Sequence, residues 1–148
     1  MIEDVGNLWT YPADAVVITT NGTINNNGKA VMGRGCAREA RDKFSGLDYY
    51  LALKLYEEGN HVHILLHDPQ INWSLISFPV KHNYFEKANY KLIKRSAEEL
   101  KKIVDEKQWK QIVMPRPGCG NGKRDWNKVK LILDEILDDR FVAITYGN

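Results

Sequence analysis

The stretch that decides the fold runs from Thr19 to Arg38 and reads TTNGTINNNGKAVMGRGCAR. An apolar run over residues 15–18 precedes it, and an amphipathic run follows it. This order predicts a buried strand, a loop rich in glycine and asparagine, and then a helix. Gly33 and Gly35 can adopt positive φ and let a ligand approach the backbone. Because the first amides of a helix lack intrahelical partners, the stretch predicts a phosphate or diphosphate site, although a plain surface loop has the same pattern.

Composition limits the class of protein. The chain has 148 residues, 43% hydrophobic and 27% charged, which is typical of one globular domain over residues 1–148. The net charge of +2 is too small to indicate nucleic acid or a membrane surface by itself. No apolar run approaches ~18 residues, and the first residues lack signal-peptide features, so we expect no membrane contact. Two cysteines, Cys36 and Cys119, fit a reducing compartment, and we expect a cytoplasmic monomer.

Apolar periodicity predicts alternating strands and helices. The predicted strands cover residues 13–20, 61–66, 73–78, 111–114 and 141–145. The predicted helices cover residues 36–44, 47–58, 89–107 and 125–137. Residues 6–9 are expected to form a turn before the first strand, and residues 78–84 to leave the third strand as a loop. The alternation predicts an α/β domain with a mostly parallel sheet between helix layers.

A second glycine-rich loop, residues 115–124, reads PRPGCGNGKR and follows another apolar strand. Ligands of open α/β sheets bind beyond the carboxyl ends of the strands, so two such loops side by side could hold both phosphates of a diphosphate. The loop is not a P-loop, because its spacing is one residue short and Arg124 stands where Ser or Thr is needed. A dinucleotide-binding glycine motif is also absent, since Arg38 occupies the place of its third glycine.

These motifs carry a resemblance to a known family. Residues 13–21 and 32–37 resemble the first half of a macrodomain, and residues 114–120 with Asp125-Trp126 resemble its second ligand loop. The segment SFPVKHNY, residues 77–84, resembles the lysine-bearing segment of the terminal ADP-ribose glycohydrolase and DarG-like branch. The resemblance implies a three-layer α/β/α sandwich with a mostly parallel, mixed central sheet.

The resemblance also implies a function, namely binding of ADP-ribose and hydrolysis of an ADP-ribosyl linkage on a protein or a nucleic acid, without metal or cofactor. Lys81 matches the branch's catalytic lysine, which attacks the anomeric carbon, and Asn21 matches an asparagine near the distal ribose. A lysine in a desolvated pocket can lose its proton and act as a nucleophile. The implied ligand contacts are Asn7, Leu8, Thr20, Met32, Gly33, Arg34, Gly35, Cys36, Ala37, Pro117, Gly118, Cys119, Gly120, Asn121 and Gly122.

Two alternatives stay open within the family. The domain could read ADP-ribose without chemistry, or it could act as a phosphatase or deacetylase on ADP-ribose 1″-phosphate or O-acetyl-ADP-ribose. Lys81 discriminates best, because a reader or a phosphatase has no evident need for an amine there. From composition alone, however, Lys81 is one lysine among many and is expected to be a solvated surface residue.

Several positions depart from the family pattern. Asn7 stands where many macrodomains have an aspartate for the adenine amine, and Gly122 stands where the eukaryotic enzyme of the branch has a catalytic aspartate. Asp125 is most simply a helix cap. The candidates for stacking on an adenine or ribose face are Trp9, Tyr84 and Phe85.

Two other groups of residues have simple structural interpretations beside functional ones. His61 and His63 alternate on one predicted strand and could bind a metal, but a partly exposed strand end is the simpler interpretation. Cys119 could be an activated thiol, but we expect it to pack as a small apolar residue.

Overall fold

A six-stranded mixed sheet forms the centre of the fold in the computed structural model, which describes residues 1–146. The strands are β1 (Ile2–Val5), β2 (Ala15–Asn21), β3 (His63–Asp68), β4 (Trp73–Lys81), β5 (Ile112–Met114) and β6 (Phe141–Thr145). The helices within residues 1–146 are α1 (Gly35–Lys43), α2 (Leu47–Glu58), α3 (Tyr90–Lys107) and α4 (Trp126–Asp134). Gly147 and Asn148, which complete the predicted domain, lie outside the described residues.

The strand order is β1-β6-β5-β2-β4-β3, and only the β3–β4 pair is antiparallel. The mostly parallel, mixed sheet is therefore confirmed. The carboxyl ends of β6, β5, β2 and β4 all lie at one edge of the sheet. The two glycine-rich loops follow β2 and β5, which are direct neighbours, so the sheet brings them side by side as predicted.

The sheet is buried on both faces because alternate residues of β2 enter two separate cores. Ala15 and Val17 pack in the core that includes residues of α3 and α4. Val16 and Ile18 pack in the core that includes residues of α1 and α2. All four side chains are at most 1% exposed, and burying each of the larger ones contributes about 1.5–3 kcal/mol. Two helix layers around one sheet confirm the three-layer sandwich.

Two features of the sheet differ from the sequence prediction. The chain begins with an edge strand, β1, which the prediction omitted because all four of its residues are exposed and show no apolar alternation. Strand β4 continues beyond its predicted end and includes Pro79, so Lys81 is the last residue of a strand instead of part of a loop. A register shift between Thr20 and Asn21 lets the ladder skip Val80, and this bulge accommodates the proline.

Side chains cap α3 and α4, the two helices that pack in the same core. Asn89 accepts a hydrogen bond from the amide of Leu92 at the start of α3. Asp125 accepts one from the amide of Asn127 at the start of α4, which confirms its predicted role as a cap. No helix in residues 1–146 is both long enough and apolar enough to cross a membrane.

Candidate active site

An elongated cavity of about 740 Å³ lies along the carboxyl edge of the sheet. Residues at or just after the ends of four adjacent strands line it: Ile144 for β6, Pro115 for β5, Asn21 for β2 and Lys81 for β4. Neighbouring strands are about 4.8 Å apart, so four strand ends span roughly 14 Å. A cavity of this volume and length suits an extended small molecule with different groups at its two ends.

The first glycine-rich loop brings the start of helix α1 to the middle of the cavity. Gly35, the first residue of α1, has φ +58°, a left-handed conformation that favours glycine. The residue before it, Arg34, provides no side-chain cap, and the first turn contains no acidic residue. The first amides of α1 and the Arg34 side chain therefore offer hydrogen-bond donors and positive charge to an anion.

The second glycine-rich loop is packed tightly against the start of α3. A Cβ atom on Gly122 would lie 2.5 Å from the carbonyl oxygen of Gly118 and 2.8 Å from Ala88. Gly118 has φ +75°, and a Cβ there would lie 2.9 Å from both Ala88 and Ile93. Both glycines are buried, whereas Gly120 between them is exposed and has open space around it. This loop is fixed by packing and presents its exposed part to the cavity.

Lys81 lies where the two loops and the end of β4 meet. It is paired in register with Asn21 on the neighbouring strand β2. Its ammonium nitrogen Nζ lies 3.3 Å from the carbonyl oxygen of Tyr84 and 3.4 Å from that of Asn121, in the second glycine-rich loop. Ser96 of α3 fixes the strand just before it, because its hydroxyl donates a 2.7 Å hydrogen bond to the carbonyl oxygen of Pro79.

The surroundings of Lys81 favour the neutral amine. Partial burial lowers its pKa from the usual value, because removal from water disfavours the charged form. Arg34 and Lys123 lower the pKa further, since a nearby cation also disfavours protonation. All three effects act in the same direction. They increase the fraction of Lys81 that carries a free electron pair at neutral pH, as a nucleophile requires.

Comparison with known proteins supports one family. No family model matches the sequence. It is 27% identical over 114 residues to ADP-ribose glycohydrolase OARD1 of Bos taurus, covering 77% of this chain and 72% of that protein. The fold is similar to the macrodomain of Mycobacterium tuberculosis DarG, with a TM-score of 0.82, 21% identity, and coverage of 99% of this chain and 97% of that one. The chain has the macrodomain fold.

A further structural neighbour of this chain is Thermosipho africanus DarTG in complex with ADP-ribose. The TM-score is 0.80 and the identity 16%, and the match covers 99% of this chain but 42% of that one. At this identity the likeness supports the fold only. The predicted macrodomain-like fold is thus confirmed by the structural relatives.

The cavity brings together most of the predicted site residues. Those that line it are Leu8, Thr20, Asn21, Met32, Gly33, Arg34, Gly35, Cys36, Ala37, Lys81, Gly118, Gly120, Asn121 and Gly122. Asn7, Pro117 and Cys119 do not line it. The side chain of Asn7 instead accepts a 2.9 Å hydrogen bond from the amide of Trp9 and stabilises the predicted turn.

Asn21 lines the cavity, but its amide group already has backbone partners. Its Nδ2 donates to the carbonyl oxygen of Val31 at 3.0 Å, and its Oδ1 accepts from the amide of Thr23 at 2.9 Å. These bonds hold together the two ends of the loop between residues 23 and 31. One N–H and one lone pair remain for a ligand, so the structure gives Asn21 a loop-shaping role in addition to any contact with ribose.

The predicted aromatic stacking residues separate into two groups. Tyr84 and Phe85 line the cavity and are 53% and 74% exposed, with ring centroids 5.5 Å apart in an edge-to-face arrangement. Trp9 lies outside the cavity. It packs against Phe44, and its indole N–H donates to Glu39 at 3.0 Å.

The simple structural interpretation of Cys119 agrees with the structure, but the prediction that His61 and His63 share a partly exposed strand is wrong, because β3 begins at His63 and this residue is buried. Burial raises the pKa of Cys119 to about 11, and the side chain packs against the core as predicted. His61 hydrogen-bonds Glu99, and buried His63 hydrogen-bonds the carbonyl oxygen of Gly59. Within residues 1–146, no group of three or more His, Cys, Asp or Glu side chains could hold a metal ion.

Sequence reasoning missed seven polar residues that line the cavity. They are Thr19, Glu39, Glu86, Lys87, Arg116, Lys123 and Tyr146. Tyr146 comes directly after β6, and its position beyond the end of a buried strand was a usable signal. Lys123 belongs to the quoted second loop, but only the folded loop shows that its side chain borders the same cavity as Lys81.

Proposed function

We propose that this macrodomain binds ADP-ribose and hydrolyses an ADP-ribosyl linkage on a protein or a nucleic acid, with Lys81 as the nucleophile. The observation that carries the proposal is the position of Lys81, a partly desolvated amine at the end of β4 and within the cavity. The name of the bovine relative, an ADP-ribose glycohydrolase, supports the same reaction class.

The arrangement of the cavity suggests how the ligand lies. The free amides of α1 and the loop after β5 border the middle of the cavity, where they would hold the diphosphate. The two ends of ADP-ribose, the adenosine and the distal ribose, would then extend toward β6 and toward β4. Because Lys81 is at the β4 end, the distal ribose, which carries the reacting carbon, belongs there. The adenosine end would lie near Leu8, Ile144 and Tyr146.

The proposed reaction has two steps. In the first, the electron pair of the Lys81 amine attacks the anomeric carbon of the distal ribose, and the bond to the substituent breaks with its electrons leaving on the substituent. In the second, water displaces the lysine nitrogen from the anomeric carbon, which releases ADP-ribose and regenerates the amine. The nitrogen gains positive charge as it attacks and loses a proton, and the departing group gains one, with both protons exchanged through water.

A non-catalytic reader or a phosphatase or deacetylase is less well supported. Such proteins need positive charge and hydrogen-bond donors to hold phosphate. Arg34 supplies the charge, and the first amides of α1 supply donors. They do not need a lysine whose surroundings disfavour its charge. The relatives matched by sequence are glycohydrolases by name, which again favours cleavage of an ADP-ribosyl bond.

The test separates binding from turnover in the variants Lys81→Ala and Lys81→Arg. We expect both to bind ADP-ribose within about tenfold of the wild type by calorimetry, a difference of at most about 1.4 kcal/mol. Both should lose most of the release of ADP-ribose from modified oligonucleotides and proteins, since arginine retains the charge but not the nucleophile. Lys91→Ala, an exposed lysine of α3 outside the cavity, is the control. Weak binding with retained turnover would make Lys81 a phosphate anchor and contradict the proposal.

We also propose that the protein acts as a monomer in the cytoplasm. Both cysteines are free, which is compatible with a reducing compartment. Light scattering of the purified protein across a hundredfold concentration range tests the oligomeric state, and fractionation of expressing cells tests the compartment.

A further inference from the structure

Lys123 has an unusual backbone conformation for its residue type. Its φ is +59°, in the left-handed region that strongly favours glycine, and it lies in the second glycine-rich loop. The glycine next to it, Gly122, has ordinary φ and is needed for a different reason, since it is buried with no room for a Cβ. Gly122 is therefore required for packing, and the left-handed conformation next to it is adopted by a lysine. Strained residues concentrate at functional sites, so Lys123 requires a functional explanation.

The surrounding bonds fix Lys123 in this conformation. Its own amide donates to the carbonyl oxygen of Gly120 at 3.0 Å, and the next amide, of Arg124, donates to that of Gly118 at 2.9 Å. The Arg124 side chain donates to the carbonyl oxygen of Ala88 at 2.6 Å and lies over the ring of Tyr90, 4.7 Å from its centroid. Lys123 is thus anchored on both sides along the chain, and its side chain borders the cavity.

We propose that Lys123 is a positioning residue for Lys81, and that its positive charge at the cavity increases the share of Lys81 that is present as the free, nucleophilic amine. The catalytic consequence rests on the function proposed above, but the effect on the amine does not. Lys81 contacts the loop that carries Lys123, because its Nζ lies 3.4 Å from the carbonyl oxygen of Asn121, two residues before Lys123. The left-handed backbone conformation of Lys123 places this residue at the cavity that contains Lys81.

The charged groups around Lys81 are predominantly positive. Arg34 faces it from the loop before α1, and Lys123 from the loop after β5. Strand β2 contributes Asn21, which does not titrate. The segment after Lys81 itself carries His82, Glu86 and Lys87, and Glu86 directs one carboxylate oxygen to the amide of Asn83 at 2.8 Å.

The local hydrogen bonds of Lys81 are compatible with a neutral amine. A neutral amine keeps two N–H groups, which are enough for the carbonyl oxygens of Tyr84 and Asn121. Its lone pair then remains for the substrate. Burial lowers the pKa of Lys81, and the positive charges of Arg34 and Lys123 lower it further, which is the direction that the proposal requires. Adjacent cations activate lysine nucleophiles by this same effect.

The first experiment measures the amine directly in the ligand-free protein. Trace acetylation with acetic anhydride over a pH series, read by mass spectrometry, reports the protonation midpoint of Lys81, with exposed Lys91 as internal reference. Lys123→Gln removes the charge, and we expect the protonation midpoint of Lys81 to rise by about half a pH unit. Below the midpoint, Lys81 should then be acetylated roughly threefold more slowly. Lys123→Arg keeps the charge and should leave the midpoint unchanged. An unchanged midpoint in Lys123→Gln, or an equal rise in Lys123→Arg, would overturn the proposal.

The second experiment separates activation from phosphate binding and from structure. In Lys123→Gln the acid limb of the pH profile of kcat/KM should move upward with the labelling midpoint, because kcat/KM reports the free enzyme. A large loss of ADP-ribose affinity with an unmoved labelling midpoint would make Lys123 a phosphate contact and overturn the proposal. Lys123→Gly should raise the melting temperature by about 3 °C through relief of strain while shifting the labelling midpoint as Lys123→Gln does. If the wild type releases no ADP-ribose, the proposed function fails while the labelling result still decides this inference.

Discussion

The two glycine-rich loops look alike in sequence but use glycine for different physical reasons. Around Gly33 and Gly35 a Cβ would meet open space or, at the nearest, the side chain of Asn121 at 3.6 Å. Around Gly118 and Gly122 a Cβ would collide with backbone and core atoms at less than 3.0 Å. The first loop therefore leaves space for a ligand around Gly33 and Gly35, whereas the second is packed against the core around Gly118 and Gly122. A glycine-rich motif therefore predicts a loop near a ligand, but not which glycines the ligand requires.

The largest expected effect comes from blocking the first loop. Gly35→Glu places a side chain and a negative charge at the start of α1, in the proposed path of the diphosphate. We expect ADP-ribose affinity to fall about a thousandfold or more, about 4 kcal/mol, as measured by titration calorimetry.

Gly46→Glu is the matched control for Gly35→Glu. Gly46 also has positive φ, +81°, and open space for a Cβ, but it lies at the start of α2, outside the cavity. Both variants should lose similar stability, about 1 kcal/mol, from strain. Unchanged ADP-ribose binding in Gly35→Glu would show that the first loop does not contact the diphosphate.

The next largest effect is on stability, in the second loop. Gly122→Ala forces a methyl group to within 2.5 Å of the carbonyl oxygen of Gly118, so the loop must shift. We expect a loss of about 2–3 kcal/mol in the free energy of unfolding by urea denaturation. Gly120→Ala, two residues earlier in open space, should change it by less than about 0.5 kcal/mol. Equal losses in the two variants would remove the distinction between packed and open glycines.

The smallest effect concerns the cysteine in each loop. Burial raises the pKa of both Cys36 and Cys119, to about 11 for Cys119 against an ordinary 9.0. A raised pKa keeps the thiol protonated, so at pH 8 Cys119 should react with iodoacetamide about a hundredfold more slowly than a free thiol. Labelling should accelerate only as the pH approaches 11. Cys119→Ala should change ADP-ribose release by less than about twofold, and a larger loss would indicate that the thiol takes part in the reaction.

The sequence allowed the central layers to be predicted because their patterns are strong. The apolar run of β2 and the helical spacing of Ile93, Ala97, Leu100 and Val104 in α3 follow directly from burial on one or two faces. Strand β1 has no such pattern, since an exposed edge strand needs only backbone partners. The end of β4 was misjudged because Pro79 normally breaks a strand, and only the bulge at Val80 makes it acceptable.

The candidate site was predictable wherever motif and sheet order coincide. Both loops and Lys81 lie at strand ends that the parallel sheet necessarily brings together. The prediction that Asn7 and Cys119 contact the ligand failed because a motif fixes the backbone of a turn but not the direction of each side chain. Lys123 and Tyr146 come from separate loops, and their approach to the cavity depends on long-range packing that local patterns do not encode.

The pairing of β1 with β6 affects how the protein is made. Ile2 is the register partner of Val142, and Gly6 donates its amide to the carbonyl oxygen of Thr145, so residues at opposite ends of the described chain form one ladder. During synthesis, β1 leaves the ribosome first but must wait for β6 before it can pair. Contacts of such high sequence separation form slowly. Until they form, the edge of β1, with Ile2 and Val5 exposed, is available to other nascent strands, which makes the delay between its synthesis and its pairing the period of greatest aggregation risk.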